Sequence, residues 1–273
     1  MARHADLHCH SRRSDGTCDP AEVVRRAHKA GVGLLVLSDH DSISGFPEAR
    51  AEAAKLKMDF ACGIEINTCE ADGVHILGYG FDPESPALIA RLEEFRRRRE
   101  SRVGLIVERL NALGVPLTVA EVKGESTETL GRPHVADALR RKRVVKDRAE
   151  AFKRFLTPEA PAYVPPMGPT VADAVEAIKA AGGWNSLAHP GTVKRDFDLT
   201  PWVEAGLTGI EACYRKHTGP QTQRFMESAK RFGLLVTGGS DFHGPGTGRE
   251  DLGGVDIPDE YFSRIHDRLR LVS

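Results

Sequence analysis

The sequence predicts an α/β fold, either a parallel sheet or a barrel, that carries an all-helical insertion. Over most of the chain, short apolar segments alternate with helical segments, and polar residues collect at the ends of the predicted strands. From about residue 100 to 157 this alternation stops and only helical patterns follow. Because ligands of parallel α/β folds bind at the carboxyl ends of the strands, we expect the functional site there.

Local signals define the first elements. A strand at 5–10 is followed by a helix that begins at Asp19-Pro20, where Asp is the N-cap and proline occupies the first helical position, and ends at Gly31. The continuous apolar run at 34–37 is typical of a buried parallel strand. The next predicted elements are a helix at 47–57 and strands at 60–67 and 74–77.

The predicted insertion begins inside a long helix that runs from Ser85-Pro86 to Gly114, and a proline-rich linker at 158–169 follows it. We therefore assign 1–99 and 158–273 to the α/β domain and 100–157 to the insertion. The remaining predicted helices are 118–123, 133–143, 147–156, 170–181, 221–231 and 259–271, and the remaining strands are 184–188, 209–212 and 234–237.

Composition excludes several classes of protein. The 273 residues are 40% hydrophobic and 28% charged, with a net charge of −1, which is ordinary for a globular protein and gives no general attraction to nucleic acid or membranes. No apolar run reaches the roughly 18 residues of a spanning helix, and too few residues precede the first strand for a signal peptide. Five cysteines without a C-x-x-C pair argue against a disulfide framework or thiolate zinc site. We expect a cytoplasmic protein with no obligate protein partner.

The first strand carries the strongest chemical signal. Asp6, His8 and His10 share one face because side chains alternate along a strand. Two imidazoles on one face can bind a metal ion, and Asp6 is placed to orient one of the rings. By chance alone, however, two of the eleven histidines could fall this close together.

Similar residues recur at or just past the ends of later predicted strands. Any one of them has an ordinary explanation, since a histidine such as His75 in an apolar strand is often a core residue. Their joint recurrence favours a metal centre with open positions, and imidazole plus carboxylate without thiolate suits Zn, Mn or Fe. The candidate ligands are His8, His10, Asp15, His40, Glu65, His75, His189, Asp241 and His243.

These motifs resemble those of the polymerase and histidinol phosphatase (PHP) family. The similar segments occur in the family's order through the α/β part: D-x-H-x-H at 6–10, S-D-H-D at 38–41, G-I-E at 63–65, H-I-L-G-Y at 75–79, A-H-P at 188–190 and S-D-F-H at 240–243. The resemblance implies a distorted seven-stranded β/α barrel with three divalent ions, for which we expect Mn first and Zn or Fe as alternatives.

The resemblance also implies how the ligands divide among the ions. The first ion would be held by His8, His10, Glu65 and Asp241. The second would share Glu65 and add His75 and His189, and the third would take Asp15, His40 and His243. Asp15 stands where the family often has histidine, although carboxylate is also common there.

The implied reaction is phosphate-ester hydrolysis by a hydroxide that bridges the first two ions, with Glu65 as the bridging ligand. His134 or His217 would protonate the leaving oxygen as general acid. Phosphate would also need donors from the protein. The candidate donors are Ser11, Arg99, Arg102, Arg132, His134 and Arg215.

The insertion, with its segment Gly131-Arg132-Pro133-His134, resembles the one found in the small phosphoesterases of this family that act on nucleotide 3′,5′-bisphosphates or RNA ends. We expect a phosphomonoesterase that releases the 3′-phosphate of a nucleoside 3′,5′-bisphosphate. A 5′-to-3′ exoribonuclease acting on short RNA is the main alternative, and the net charge of −1 mildly favours the small nucleotide. A histidinol-phosphate phosphatase, an amidohydrolase and a non-catalytic module are less favoured.

Overall fold

The computed structural model describes residues 4–123, 128–194 and 196–271. Seven strands form a single sheet in which every strand lies beside the next one in sequence. The strands are β1 (Ala5–Cys9), β2 (Leu34–Leu37), β3 (Asp59–Asn67), β4 (His75–Tyr79), β5 (Trp184–Leu187), β6 (Gly209–Tyr214) and β7 (Leu235–Gly239).

The sheet curves until its two edges meet. Cys9 at the end of β1 forms a parallel bridge with Phe242, just past β7. The backbone N–H of His10 donates to the Phe242 carbonyl at 2.8 Å, and the N–H of Asp241 donates to the His8 carbonyl at 2.8 Å. This seam makes a nearly closed barrel and confirms the predicted α/β barrel class.

One strand runs against the predicted direction. β4 is antiparallel to both β3 and β5, whereas the other neighbouring pairs are parallel. The expectation of an all-parallel arrangement was therefore wrong for β4, because the short connection after β3 makes a hairpin and not a helical crossover. His75, the first residue of β4, pairs with Asn67, the last of β3, so His75 lies at the carboxyl rim of the barrel.

The predicted helices are present to within a few residues, except that the last helix is shorter than expected, and a short helix at Thr200–Glu204 was not predicted. A π-helical turn at Phe152–Leu156 continues α6, and a short 3₁₀ turn occupies Pro190–Thr192. No described helix is long and apolar enough to cross a membrane. The helices are α1 (Pro20–Lys29), α2 (Phe46–Leu56), α3 (Pro86–Ala112), α4 (Val119–Lys123), α5 (Arg132–Arg141), α6 (Arg148–Ala151), α7 (Val171–Ala180), α8 (Thr200–Glu204), α9 (Gly219–Phe232) and α10 (Asp259–His266).

The insertion has a hydrophobic core of its own, which contains buried residues from Val103 to Val164. Helix α3 joins this core to the barrel. Its first half places Leu92 and Phe95 in a core beside the barrel strands, and its second half packs Val103 and Ile106 into the insertion. The domain boundaries at 99/100 and 157/158 stay a prediction, with α3 belonging to both packing units.

The barrel seam predicts a steric sensitivity at Gly239. A Cβ there would lie 2.7 Å from the backbone nitrogen of His8, which cannot move without opening the β1–β7 contact. We expect Gly239→Ala to lower the free energy of unfolding by about 1–3 kcal/mol. Gly104→Ala in α3 is the matched control, since nothing lies within 4 Å of its added Cβ. It should stabilise the protein by about 0.5–1 kcal/mol. Equal thermal unfolding midpoints for the two metal-free variants would contradict this account.

Candidate metal centre

The buried carboxylate of Glu65 lies at the centre of the site. Its Oε1 atom is 2.8 Å from His75 Nδ1 and 2.9 Å from His189 Nε2. Its Oε2 atom is 3.1–3.2 Å from ring nitrogens of three further histidines, which are His8, His10 and His40. The ends of β1, β2, β4 and β5 thus bring imidazoles to a single carboxylate on β3.

The surrounding oxygens lack hydrogen-bond donors. Glu65 Oε2, Asp241 Oδ1 and Asp15 Oδ1 are buried and accept no hydrogen bond from the part of the chain that the structure describes. Burying a carboxylate oxygen without a hydrogen-bond donor lowers the stability of the fold unless a cation compensates its charge. The donor set of imidazoles and carboxylates therefore fits divalent metal ions.

The ring of His8 is fixed for metal binding. Its Nδ1 atom lies 3.0 Å from Glu211 Oε1, so an Nδ1–H donates there and Nε2, the nitrogen available to a metal ion, faces His10 Nε2 at 3.1 Å and Asp241 Oδ1 at 3.6 Å. A carboxylate behind the ring commonly fixes a metal-binding histidine in this way. Burial lowers the pKa of His8, but the charges of Glu211 and Glu65 raise that pKa more strongly, and the result lies well above the usual value. Without metal, a proton on His8 thus supplies part of the positive charge that the site requires.

A second concentration of ligands surrounds Asp15. His243 directs its Nδ1–H to the Asp241 carbonyl at 2.8 Å, which leaves Nε2 3.2 Å from Asp15 Oδ1. His40 approaches the other oxygen of the same carboxylate, with its Nε2 atom 3.8 Å from Asp15 Oδ2. Burial lowers the pKa values of His243 and His40, so both rings are held in the neutral form that binds metal.

The structure brings all nine predicted ligands together. Ligand atoms within 4.8 Å of one another form three groups: His8, His10, Glu65 and Asp241; His10, Asp15, His40 and His243; and His40, Glu65 and His75. The first group is the set expected for the first ion, and the second contains the set expected for the third ion. His189 joins the centre through its contact with Glu65. The assignment of ligands to individual ions stays a prediction.

Unusual backbone conformations mark the rim. Asp241 and His189 have φ values of 54° and 27°, and Asp41, next to His40, has a φ of 48°. Residues other than glycine avoid this left-handed region, at a cost of order 1–3 kcal/mol each. These backbone conformations occur just after β5 and β7, and they direct the side chains of His189 and Asp241 into the ligand cluster.

The carboxylate expected to orient a ring was misidentified. Asp6 lies below the cluster, and its oxygens accept the backbone N–H groups of Ser240 at 2.9 Å and Gly253 at 2.8 Å. It therefore ties β1 to the segments after β7, while Glu211 orients His8. Glu211 was missed in the sequence, although a charged residue inside the apolar strand β6 is a usable signal.

A cavity of about 630 Å³ opens beside the centre. Asp15, His40 and His75 line its barrel side, and Arg132 and Phe152 line its insertion side. The cavity therefore lies between the ligand cluster and the helical insertion, within the range typical of small-molecule sites.

Three predicted phosphate donors line this cavity. Arg102 and Arg132 share the carboxylate of Asp72, at 3.1 and 2.7 Å. Arg99 is more fully occupied, because it contacts Asp41, Asn67 and the carbonyl of Leu130. The two positive charges of this arginine pair exceed the single negative charge of Asp72. This wall of the cavity therefore attracts anions.

Two other predicted donors are engaged elsewhere. The buried Ser11 hydroxyl donates to Asp39 at 2.7 Å and accepts the N–H of Arg13 at 3.1 Å, so it holds the turn after β1. Arg215 donates to the Gly253 carbonyl at 2.9 Å and pairs with Asp251 at 3.1 Å. The structure brings neither residue to the cavity lining.

The two histidines predicted as general acids bond to backbone instead. His134 accepts the N–H of Gly131 at 3.1 Å and donates from Nε2 to the Ser14 carbonyl at 3.0 Å. His217 accepts the N–H of Gly191 at 3.0 Å and donates to the Ala212 carbonyl at 3.1 Å, which fixes the turn after His189. Both nitrogens of each ring are occupied, so we assign these residues to positioning.

Arg249 was missed by sequence reasoning. Its Nη1 atom pairs with Asp241 Oδ2 at 2.8 Å, and the side chain lines the cavity. Burial lowers the pKa of Arg249, but the charge of Asp241 raises it more, so the guanidinium stays charged. An arginine directly after the glycine-rich segment 244–248 was an available signal in the sequence.

The chain is similar in sequence and fold to known proteins. The sequence model of the PHP domain matches residues 6–126. A 3′,5′-nucleoside bisphosphate phosphatase from Chromobacterium violaceum is 37% identical over 269 residues, which cover 93% of this chain and 92% of that protein. A 5′-3′ exoribonuclease from Haemophilus influenzae is 35% identical, with coverage of 90% and 92%.

A solved structure from Bifidobacterium adolescentis, described as a proposed metal-dependent phosphoesterase, agrees with the fold as a whole. It is 33% identical, has a TM-score of 0.88, and the match covers 98% of this chain and 97% of that chain. The ligand cluster, the barrel fold and the similarity over nearly the full length of the chain agree with one another. The chain belongs to the PHP family of metal-dependent phosphoesterases.

Proposed function

We propose that the chain is a phosphomonoesterase that removes the 3′-phosphate from nucleoside 3′,5′-bisphosphates such as adenosine 3′,5′-bisphosphate. The observation that carries this proposal is a cavity with ligand-type residues on one wall and an arginine pair on the other. A substrate with two phosphates matches this cavity, because metal ions on the ligand wall would bind one phosphate and the arginine pair on the opposite wall would bind the other. The bisphosphate phosphatase from Chromobacterium violaceum, 37% identical, supports the same substrate class.

The proposed cofactor is three divalent ions, with Mn first and Zn or Fe as alternatives. Such ions lower the pKa of coordinated water toward about 7 and neutralise phosphoryl oxygens. The chain supplies the remaining functions. Glu65 brings its carboxylate between the imidazoles, Glu211 keeps the His8 ring oriented, and Asp15 completes the outer group of ligands.

The arginine wall would hold the phosphate that is not cleaved. Burial, together with the neighbouring charge of Arg132, lowers the pKa of Arg102 to about 10, so its guanidinium remains charged at pH 7. Arg132 also lies 5.6 Å from the Phe152 ring, which limits its freedom of movement. Two oriented guanidinium groups against one carboxylate favour a phosphate over a neutral group.

A 5′-to-3′ exoribonuclease is the second candidate. Arg140, Arg143 and Lys146 line a shallow groove on the insertion together with one acidic residue, Glu150. Arg143 also has a φ of 60°, a conformation in which glycine would be favoured. An exposed basic groove suits an RNA backbone, and the relative from Haemophilus influenzae is named as such an exoribonuclease.

Removal of the central charge should abolish activity. We expect Glu65→Gln to lower phosphate release from the bisphosphate by at least about 100-fold, more than His75→Ala, because five imidazoles contact Glu65. Bound Mn and phosphate release would be measured for both variants. A Glu65→Gln protein with full metal content and full rate would refute the central role of this carboxylate.

Metal binding should release protons near neutral pH. Burial lowers the pKa of His10, but the carboxylates of Asp241 and Glu65, at 3.4 and 3.1 Å from its Nε2 atom, raise it more, to about 9 in the metal-free protein. The ring is therefore protonated at pH 7 and must become neutral to bind metal. Because His8 is also protonated without metal, both rings must lose a proton, and the apparent Mn affinity should rise as the pH increases from 7 to about 9. Calorimetric titration in buffers of different ionisation enthalpy measures this, and a buffer-independent enthalpy at pH 7 would contradict it.

The arginine wall should select for the second phosphate. We expect Arg132→Ala to lower kcat/KM for adenosine 3′,5′-bisphosphate by about 10–100-fold and to affect adenosine 3′-monophosphate far less. Arg97→Ala, on the exposed face of α3, is the control and should match the unmodified enzyme on both substrates. Equal losses on the two substrates would exclude the proposed phosphate contact. Faster turnover of short 5′-phosphorylated RNA than of either nucleotide would favour the exoribonuclease.

A further inference from the structure

The loop that carries Asp15 is bonded to the helical insertion at three consecutive carbonyl groups. The carbonyl of residue 13 accepts the backbone N–H of Glu128 at 3.2 Å. The carbonyl of residue 14 accepts His134 Nε2–H at 3.0 Å, and that of residue 15 accepts Arg148 Nη2–H at 3.4 Å. An uninterrupted row of donors from another packing unit therefore fixes the backbone on which Asp15 stands.

Each of the two side-chain donors is itself held in place. His134 lies in the first turn of α5, and its Nδ1 accepts the N–H of Gly131 at 3.1 Å, so the remaining proton must be on Nε2, facing the loop. Arg148 is fixed by a bidentate pair with Asp137, at 2.6 and 2.9 Å. The donors are thus oriented by the insertion and do not simply follow the loop.

The insertion also reaches the loop that carries His40. The carboxylate of Glu128 accepts the Ser42 hydroxyl at 2.8 Å, two residues beyond His40. Asp15 and His40 are both expected ligands of the third ion. In contrast, the side chains expected at the first ion stand on or next to β1, β3 and β7, where the barrel backbone fixes them.

We infer that the insertion is a structural part of the third ion's site, with His134, Arg148 and Glu128 as positioning residues for Asp15 and His40. The inference rests on the three-ion centre of the proposed function and is independent of the substrate. Without these donors, the loop would have to be ordered at the moment of ion binding, which weakens the affinity. Loss of a supporting hydrogen bond around a metal site typically costs about 10–100-fold in affinity.

The test counts Mn ions per chain after equilibrium dialysis at increasing free Mn²⁺, with elemental analysis and no activity assay. Asp15→Ala defines the loss of the third ion. We expect His134→Ala to weaken by about 10–100-fold only the binding step that Asp15→Ala removes, and His134→Gln, which keeps a donor, to restore part of it. Glu128→Ala removes an exposed side chain, should fold, and should weaken the same step to a smaller extent.

Arg154→Ala is the matched control, because Arg154 bonds to Glu150 and the Val144 carbonyl inside the insertion and should leave all binding steps unchanged. If the unmodified chain binds fewer than three ions, the three-ion centre of the proposed function fails. If the unmodified chain binds three ions and Asp15→Ala binds three as tightly, Asp15 does not hold the third ion and this inference fails alone. If Asp15→Ala loses an ion while His134→Ala and Glu128→Ala do not, only the positioning role is refuted. Equal weakening of every binding step by His134→Ala would also refute it, since general destabilisation does not select one ion.

Discussion

The arrangement depends on one buried carboxylate that needs positive charge. Glu65 has no exposed surface, and histidines from four other strand ends converge on its two oxygens. A buried carboxylate is stable only when cations or donors compensate it. In the metal-free protein, protonated imidazoles supply part of that charge, and divalent ions would supply it fully. Charge compensation therefore stabilises the rim of the barrel as much as side-chain packing does.

Barrel geometry explains why so many distant residues can meet there. Parallel strands end at one rim, and the reversal of β4 brings the beginning of that strand, with His75, to the same rim as the end of β3. The seam between β1 and β7 then joins the N-terminal histidines to Asp241. The insertion covers this rim, so the cavity is enclosed by residues from both packing units.

The ligands could be predicted because imidazoles and carboxylates at strand ends are visible in the linear sequence. The roles of their partners could not be predicted, although a charged residue within β6 and an arginine after a glycine-rich segment are visible in the sequence. Glu211 and Arg249 act through contacts with His8 and Asp241 that only the closed barrel creates. His134 and His217 were expected to meet substrate, but each bonds to one backbone group nearby and to one that is distant in sequence. Strand direction was also misjudged at β4, because an apolar run indicates burial and does not indicate orientation.

Helix α3 has a mechanical consequence. Its 27 residues form one rigid rod with one end packed beside the barrel and the other in the insertion. An uninterrupted helix resists bending, so the insertion cannot swing outward as a hinged flap without breaking hydrogen bonds along α3. Helix α3 therefore holds Arg102 at a fixed distance from the barrel strands that carry the ligands, so the two walls of the cavity keep their spacing.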